Sequence, residues 1–304
     1  MYKIEKSQEG RLDYLELINY KGDSKAKISL NEGGRLKELQ FDGISVIKDR
    51  PNIKYENTHA SSILFPFANR VKDGIYSFED ETHQLFCNEK GRNNAIHGVV
   101  FDKKFTLIKE TTTSNFVEVT LSYQEEKKSK GFPFFYKISL IYTLSENSIS
   151  LSVKIENTDT QSFPFTVGWH PYFISENLYD SILDFESNQK IEFDKNLITT
   201  GVYKNHLESP FKIRDVQLDD CYILKGNRVE FKTPSYSIEI NTNKEENYLQ
   251  LYNPVNTQVV AIEPMTGISD SFNNKIGLQV LKPNEEYKIE WNINFNKAIN
   301  NNTN

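Results

Sequence analysis

The chain has 304 residues, 38% of them hydrophobic and 12% aromatic, and a formal net charge of −6. That is enough apolar material for one large β domain or two ordinary ones. The longest basic stretch, Lys127-Lys128-Ser129-Lys130, follows Glu125-Glu126 and reads as a solvated loop, so nucleic-acid binding is not supported.

The first residues, Met1-Tyr2-Lys3-Ile4-Glu5-Lys6, lack the apolar stretch of a signal peptide. No apolar run approaches the ~20 residues of a membrane helix. An early strand, Ala26-Lys27-Ile28, leads to Gly33-Gly34. The best helical candidate in the whole chain is the short segment Arg35 to Leu39. Turn signals follow at Asp42-Gly43 and Asp73-Gly74, on either side of Phe65-Pro66-Phe67-Ala68-Asn69-Arg70, and later at Gly226-Asn227 and Lys282-Pro283-Asn284.

Alternation of period two dominates from there on. Val117, Val119, Leu121 and Tyr123 alternate with Glu118, Thr120 and Ser122. The runs Tyr136–Leu144 and Ile149–Ile155 repeat the pattern across the turn-like link Ser145-Glu146-Asn147-Ser148, so they predict a hairpin. Tyr287, Ile289, Trp291, Ile293 and Phe295 give the same signal near the end. Strands with one apolar and one polar face imply antiparallel sheets, and the whole pattern predicts an all-β sandwich or barrel. No internal repeat or linker divides the chain, so residues 1–304 are expected to form one domain with a disordered tail at 300–304.

Three segments carry candidate chemistry. His97 lies in Ala95-Ile96-His97-Gly98, and His170 lies in Val167-Gly168-Trp169-His170-Pro171-Tyr172-Phe173. Glu263 closes the apolar run Val259-Val260-Ala261-Ile262. A carboxyl at such a strand end is costly to bury without a partner or a task. Two imidazoles and a carboxylate suit proton transfer near neutral pH. A buried Glu held by backbone donors, or a histidine at a turn, is the structural alternative for each alone. Arg70 offers fixed donors to sugar hydroxyls or a carboxylate; an ion pair with a core carboxylate is the other reading. Trp169, Tyr172 and Phe173 suit a sugar-stacking wall or plain core. Asp219 and Asp220 adjoin on a strand, so at most one faces a given site. His59, His83 and His206 sit in polar stretches and read as surface residues. Cys87 and Cys221 read as reduced thiols of a cytoplasmic protein. No short-spaced zinc motif, P-loop, dinucleotide fingerprint or nucleophile elbow is present, so no metal and no cofactor are expected.

Taken in order, these segments resemble the aldose 1-epimerase, or galactose mutarotase-like, family over about residues 20–295. The resemblance rests on Gly33-Gly34, Phe65 to Arg70 with Gly74, Ile96-His97-Gly98, His170-Pro171-Tyr172-Phe173, Asp219-Asp220-Cys221-Tyr222 and Glu263-Pro264-Met265-Thr266. It implies a β-supersandwich of large antiparallel sheets with an open concave cleft. The implied activity is interconversion of the α and β anomers of a free hexose. Glu263 matches the family base and His170 the family acid. Arg70, His97, Asp219 and Asn69 match positions that hold the sugar. The chain departs from the family at Val99 after His-Gly, at Ile174-Ser175 after His-Pro-Tyr-Phe, and at Ser269-Asp270-Ser271-Phe272-Asn273. These departures mark a divergent member and bear on substrate identity. Competing expectations are a hexose-6-phosphate 1-epimerase, which needs several cations around the cleft, and a non-catalytic carbohydrate-binding protein. A hydrolase needs a second carboxylate at roughly 5–9.5 Å from Glu263, and Asp219 is its candidate. The expected partner is a small sugar alone, with neither nucleic acid nor membrane, for a monomer or homodimer.

Overall fold

The computed structural model describes residues 1–49, 53–245 and 247–298. The expected tail at 300–304 lies outside the described residues. The alternating segments all form strands, and among the described residues every pairing between strands is antiparallel, in one 20-stranded system and three two-stranded ladders. Two one-turn helices, Tyr55–Thr58 and Ser271–Asn274, interrupt it among the described residues. No described helix is long and apolar enough to cross a membrane.

One layer is a meander. Strands Thr106–Thr112, Val117–Gln124, Tyr136–Leu144 and Ser148–Asn157 pair in succession. Glu286–Lys297 then pairs with Ser148–Asn157, placing Trp291 opposite Leu151 and Ile293 opposite Ile149. Tyr236–Thr242 adds to its other edge. The second layer runs from Lys3–Glu9 through Leu12–Ile18, Lys25–Ser29, Arg35–Phe41 and Ile44–Ile47. It continues through Tyr172–Ile174 to Val259–Met265 and Tyr248–Tyr252.

The strand Asp219–Lys232 joins the layers. Its first half pairs with Tyr248–Tyr252 and its second half with Tyr236–Thr242. Gly226-Asn227, expected as a turn, lies inside this strand where it changes partner; Gly226 has φ 105, a conformation open to glycine without a Cβ clash. The glycine marks that change of partner and not a chain reversal.

The apolar faces of the two layers meet. The rings of Trp169 and Trp291 stack at 6.2 Å, and Phe41 meets Phe295 at 5.2 Å. At Gly34 a Cβ would stand 2.8 Å from a Leu140 methyl, so the layers approach as closely as a side-chain-free residue allows. Arg35 to Leu39 is not helical: it is part of the strand Arg35–Phe41. Leu36 and Leu39 are both fully buried, although they are three residues apart. A shift in pairing register between Lys27 and Ile28 leaves one extra residue on this strand. Such a β-bulge puts positions i and i+3 on one face and so imitates helical spacing.

Candidate active site

The strand Val259–Met265 is buried along its whole length, because it lies within the second layer with Tyr172–Ile174 on one side and Tyr248–Tyr252 on the other. Glu263 stands opposite Gln250 in that pairing, and Gln250 stands opposite Cys221. Directly opposed residues share a face, and so do residues two apart. Glu263, Gln250 and Asp219 therefore face one side, and Asp220 faces the other. Asp220 instead pairs with Lys190 at 2.6 Å. The Gln250 amide donates to Asp219 at 3.1 Å.

A short ladder delivers the opposite wall. Arg70–Val71 pairs with Ala95–Ile96. Asn69 and His97 flank it, both with positive φ (58 and 64), and the His97 N–H donates to the Asn69 carbonyl at 2.9 Å. These left-handed residues turn their side chains off the ladder and into the cleft. Gly98 follows because no Cβ fits there: one would fall 2.2 Å from the Phe65 carbonyl oxygen. The close approach that glycine permits is thus to the chain's own backbone rather than to a ligand.

His170 lies between the strands Gly168–Trp169 and Tyr172–Ile174. Its backbone is clamped by Ser62 and Ser61, at 3.1 and 2.7 Å. Trp169 and Phe173 go to the core, whereas Tyr172 stacks on the His170 ring at 4.9 Å and lines the cleft. The Nε2 of His170 is 3.4 Å from Oε1 of Glu263. Glu263 is 2% exposed and His170 is 4% exposed. Nδ1 of His170, Nδ1 of His97 and Oε2 of Glu263 are buried and make no hydrogen bond within the chain. Each such group costs about 1–3 kcal/mol, a cost typical of a site built for a ligand.

Burial sets the charges. It drives the Glu263 carboxyl well above the ordinary carboxylate range, and Asp219 adds to the effect. It drives His170 down to about 3, with His59 adding to the effect, and drives His97 down as well. Burial also raises Asp219. Burial thus favours the neutral forms of both Glu263 and His170 over their charged forms.

Arg70 makes the ion pair of the structural reading and also lines the cleft. Its fork grips Glu89 at 2.9 and 3.0 Å, and its third nitrogen reaches Asn69 at 3.0 Å. Burial pushes Glu89 up, but the Arg70 fork outweighs this and holds it below its ordinary range. All six predicted site residues line one cavity of about 460 Å³, a size suited to a small ligand.

Among the lining residues that escaped the sequence reading are His59, Glu89, Gln250 and Tyr252. Gln250 alone left a signal, as an amide amid Tyr248, Leu249 and Leu251. His59 and His83 are not surface residues; each is 9% exposed. His83 stacks on Tyr76 at 4.9 Å, and His206 is exposed. Cys87 and Cys221 are both free. His97, His170 and Glu263 offer possible metal-ligand atoms within 4.8 Å of one another.

The family model for aldose 1-epimerase matches residues 15–294. The chain is 24% identical over 284 residues to an uncharacterized protein, YihR, of Escherichia coli K12, covering 90% of each. Among solved structures it is similar to a galactose mutarotase-like protein from Clostridium acetobutylicum (TM-score 0.87, 20% identity, 98% and 99% coverage). It is also similar to galactose 1-epimerase from Lactobacillus acidophilus (TM-score 0.81, 19% identity, 98% and 99% coverage). The fold is the galactose mutarotase-like β-supersandwich, and the chain belongs to the aldose 1-epimerase family.

Proposed function

We propose that this protein is an aldose 1-epimerase that interconverts the anomers of a free hexose, with Glu263 as base and His170 as acid. The observation that carries the reading is the 3.4 Å contact between His170 Nε2 and Glu263 Oε1 inside a polar cleft. The reaction needs one proton removed from O1 and one delivered to O5. Both oxygens sit on C1, so the two partners must reach neighbouring atoms at near-attack distances of roughly 3–3.5 Å.

The proton balance fits a pair that holds one proton. In the ionised arrangement the Glu263 carboxylate takes the O1 proton while the His170 imidazolium gives its proton to O5. The C1–O5 bond breaks, C1 becomes a carbonyl, and the pair is left as a neutral carboxylic acid and imidazole. That neutral form is the one burial favours, so the open-chain sugar meets the pair in its stable state. Rotation about C1–C2 and reversal of both transfers close the other anomer. At 3.4 Å and an effective dielectric of about 20, the ion pair gains roughly 5 kcal/mol of attraction, which offsets part of the cost of forming it. Asn69, Gln250 and Asp219 face the cleft as partners for ring hydroxyls, and Tyr172 offers an aromatic wall.

The charge of the cleft favours an uncharged sugar over a phosphorylated one. Glu56, Glu89 and Asp219 line it against Arg70 and Arg92. Both guanidiniums are already engaged with Glu89. The test is two-dimensional NMR exchange between the anomeric protons of D-glucose and D-galactose, with glucose 6-phosphate alongside. Faster α–β exchange of a free hexose is expected. Acceleration of the phosphate ester alone, or of no sugar, would overturn the reading.

A further inference from the structure

Beyond the acid and base, the cleft holds a third buried imidazole with no part in the proton transfers. His59 follows the helix Tyr55–Thr58 and takes a left-handed backbone, φ 48, which few residues other than glycine adopt readily but histidine does more than most. Its ring packs against His97 at 5.0 Å and edge-on against Phe101 at 4.7 Å. Its Nδ1 is buried without a hydrogen bond within the chain, and the ring lines the cavity.

The position is built. Arg35 lies over the Tyr55 ring at 4.1 Å and is fixed by Asp49 at 2.6 and 2.7 Å. The Tyr55 hydroxyl bonds Ser62 at 2.7 Å and the Phe101 carbonyl at 3.1 Å. The one-turn helix is thereby anchored, and its last turn closes through the His59 N–H on the Tyr55 carbonyl at 2.8 Å.

The imidazoles form a row. His170 meets His97 at 4.9 Å, and His97 meets His59 at 5.0 Å. Glu263 lies at the His170 end. If Glu263 addresses O1 and His170 addresses O5, a pyranose continues along this row from O5 to C5 and its hydroxymethyl group. We propose that His59 is a specificity-determining residue of this site that hydrogen-bonds the C6 hydroxyl and so selects hexoses over sugars lacking it. The inference rests on the assignment of O1 and O5 to Glu263 and His170 above.

The test measures binding of analogues that cannot mutarotate, so it does not depend on turnover. The probes are 1,5-anhydro-D-glucitol, its 6-deoxy derivative and its 2-, 3- and 4-deoxy derivatives, titrated by NMR into the full chain. The wild type, His59→Phe and His59→Asn are compared. Phe keeps the ring packing; Asn tolerates the left-handed backbone and guards against loss of folding. In the wild type, loss of O6 should weaken binding roughly 3- to 10-fold, the worth of one neutral hydrogen bond. In both variants the same deletion should cost less than about 1.5-fold, because coupled partners are non-additive. A merely structural role would weaken all probes alike and leave the O6 effect in place, which overturns the proposal. Coupling at another hydroxyl, or no binding of any probe, overturns it too. Normal mutarotation without O6 coupling sinks this inference and leaves the proposed function standing. O6 coupling without mutarotation does the reverse.

Discussion

Glu263→Gln separates the chemical role of this side chain from its structural one. The amide keeps the shape, and its NH₂ can still donate to His170 Nε2 across the 3.4 Å gap. It cannot take a proton at neutral pH. Removing a positioned base costs about 10² to 10⁴ in rate, or about 3–5 kcal/mol of barrier at about 1.4 kcal/mol per decade. The loss should fall on kcat with little change in KM, since the interaction belongs to the transition state. Stability should move the other way. The folded carboxyl titrates well above its ordinary value of 4.5. Its contribution is fully present below that value and is lost as pH rises through the folded one. At pH 7 it has become a penalty, because the unfolded carboxyl is free to ionise there. Glutamine escapes it, so the variant should melt a few degrees higher at pH 7 and lose that advantage near pH 4. The assays are polarimetric progress curves and calorimetry at both pH values. Turnover within about tenfold of wild type refutes the base assignment, and a pH-independent difference in melting refutes the neutral buried carboxyl.

His170→Asn should likewise lower kcat by roughly 10²-fold or more, read by the same polarimetry. The wild-type rate should follow a broad bell in pH. Its acid limb is a second proton reaching His170, held down to about 3, and its alkaline limb is loss of the one shared proton from the raised Glu263 side; an acid limb centred on pH 6.5 would contradict this. Stability carries the same sign: the depressed His170 contributes fully above pH 6.5 and loses its contribution as pH falls toward about 3, measurable as acid-dependent melting. Arg70→Met should raise KM and destabilise by about 2–3 kcal/mol in denaturant titration, because Glu89, only 14% exposed, loses its two-pronged partner and keeps Arg92 and Asn94 alone, somewhat less than the loss for a fully buried pair. Asp219→Asn should raise KM at least as much as it lowers kcat. Dialysis against chelator should leave the rate unchanged; loss that a divalent cation restores would assign His97, His170 and Glu263 to a metal instead.

Much of the architecture was legible because alternation reports burial directly. Ile289, Trp291, Ile293 and Phe295 are inward in the strand as in the pattern, and the hairpin at Tyr136–Asn157 pairs as expected. Where backbone geometry departs from period two, the pattern misleads. The bulge in Arg35–Phe41 imitates a helix, and Gly226 marks a change of partner rather than a turn. The convergence of His97, His170 and Glu263 was readable only through their likeness in order to a known family, since pairings across 166 positions of sequence leave no local trace. Register then decided what adjacency could not: Asp219, opposite Tyr252 and two residues from Cys221, shares the face of Glu263, and Asp220 does not. His59 was misread because its polar neighbours suggested solvent, whereas a cation–π contact at Tyr55 and the packing on Phe101 fold that segment into the cleft wall.

The most direct test of the account follows the optical rotation of freshly dissolved α-D-glucose and α-D-galactose with the wild-type chain, Glu263→Gln and His170→Asn. The account predicts that the wild type speeds the approach to the unchanged equilibrium rotation of at least one free hexose, and that each variant loses about 10²-fold or more of that acceleration. A wild type that leaves both decay rates at their spontaneous values, or variants that match it, would contradict the claim that this carboxyl–imidazole pair opens and closes a sugar ring.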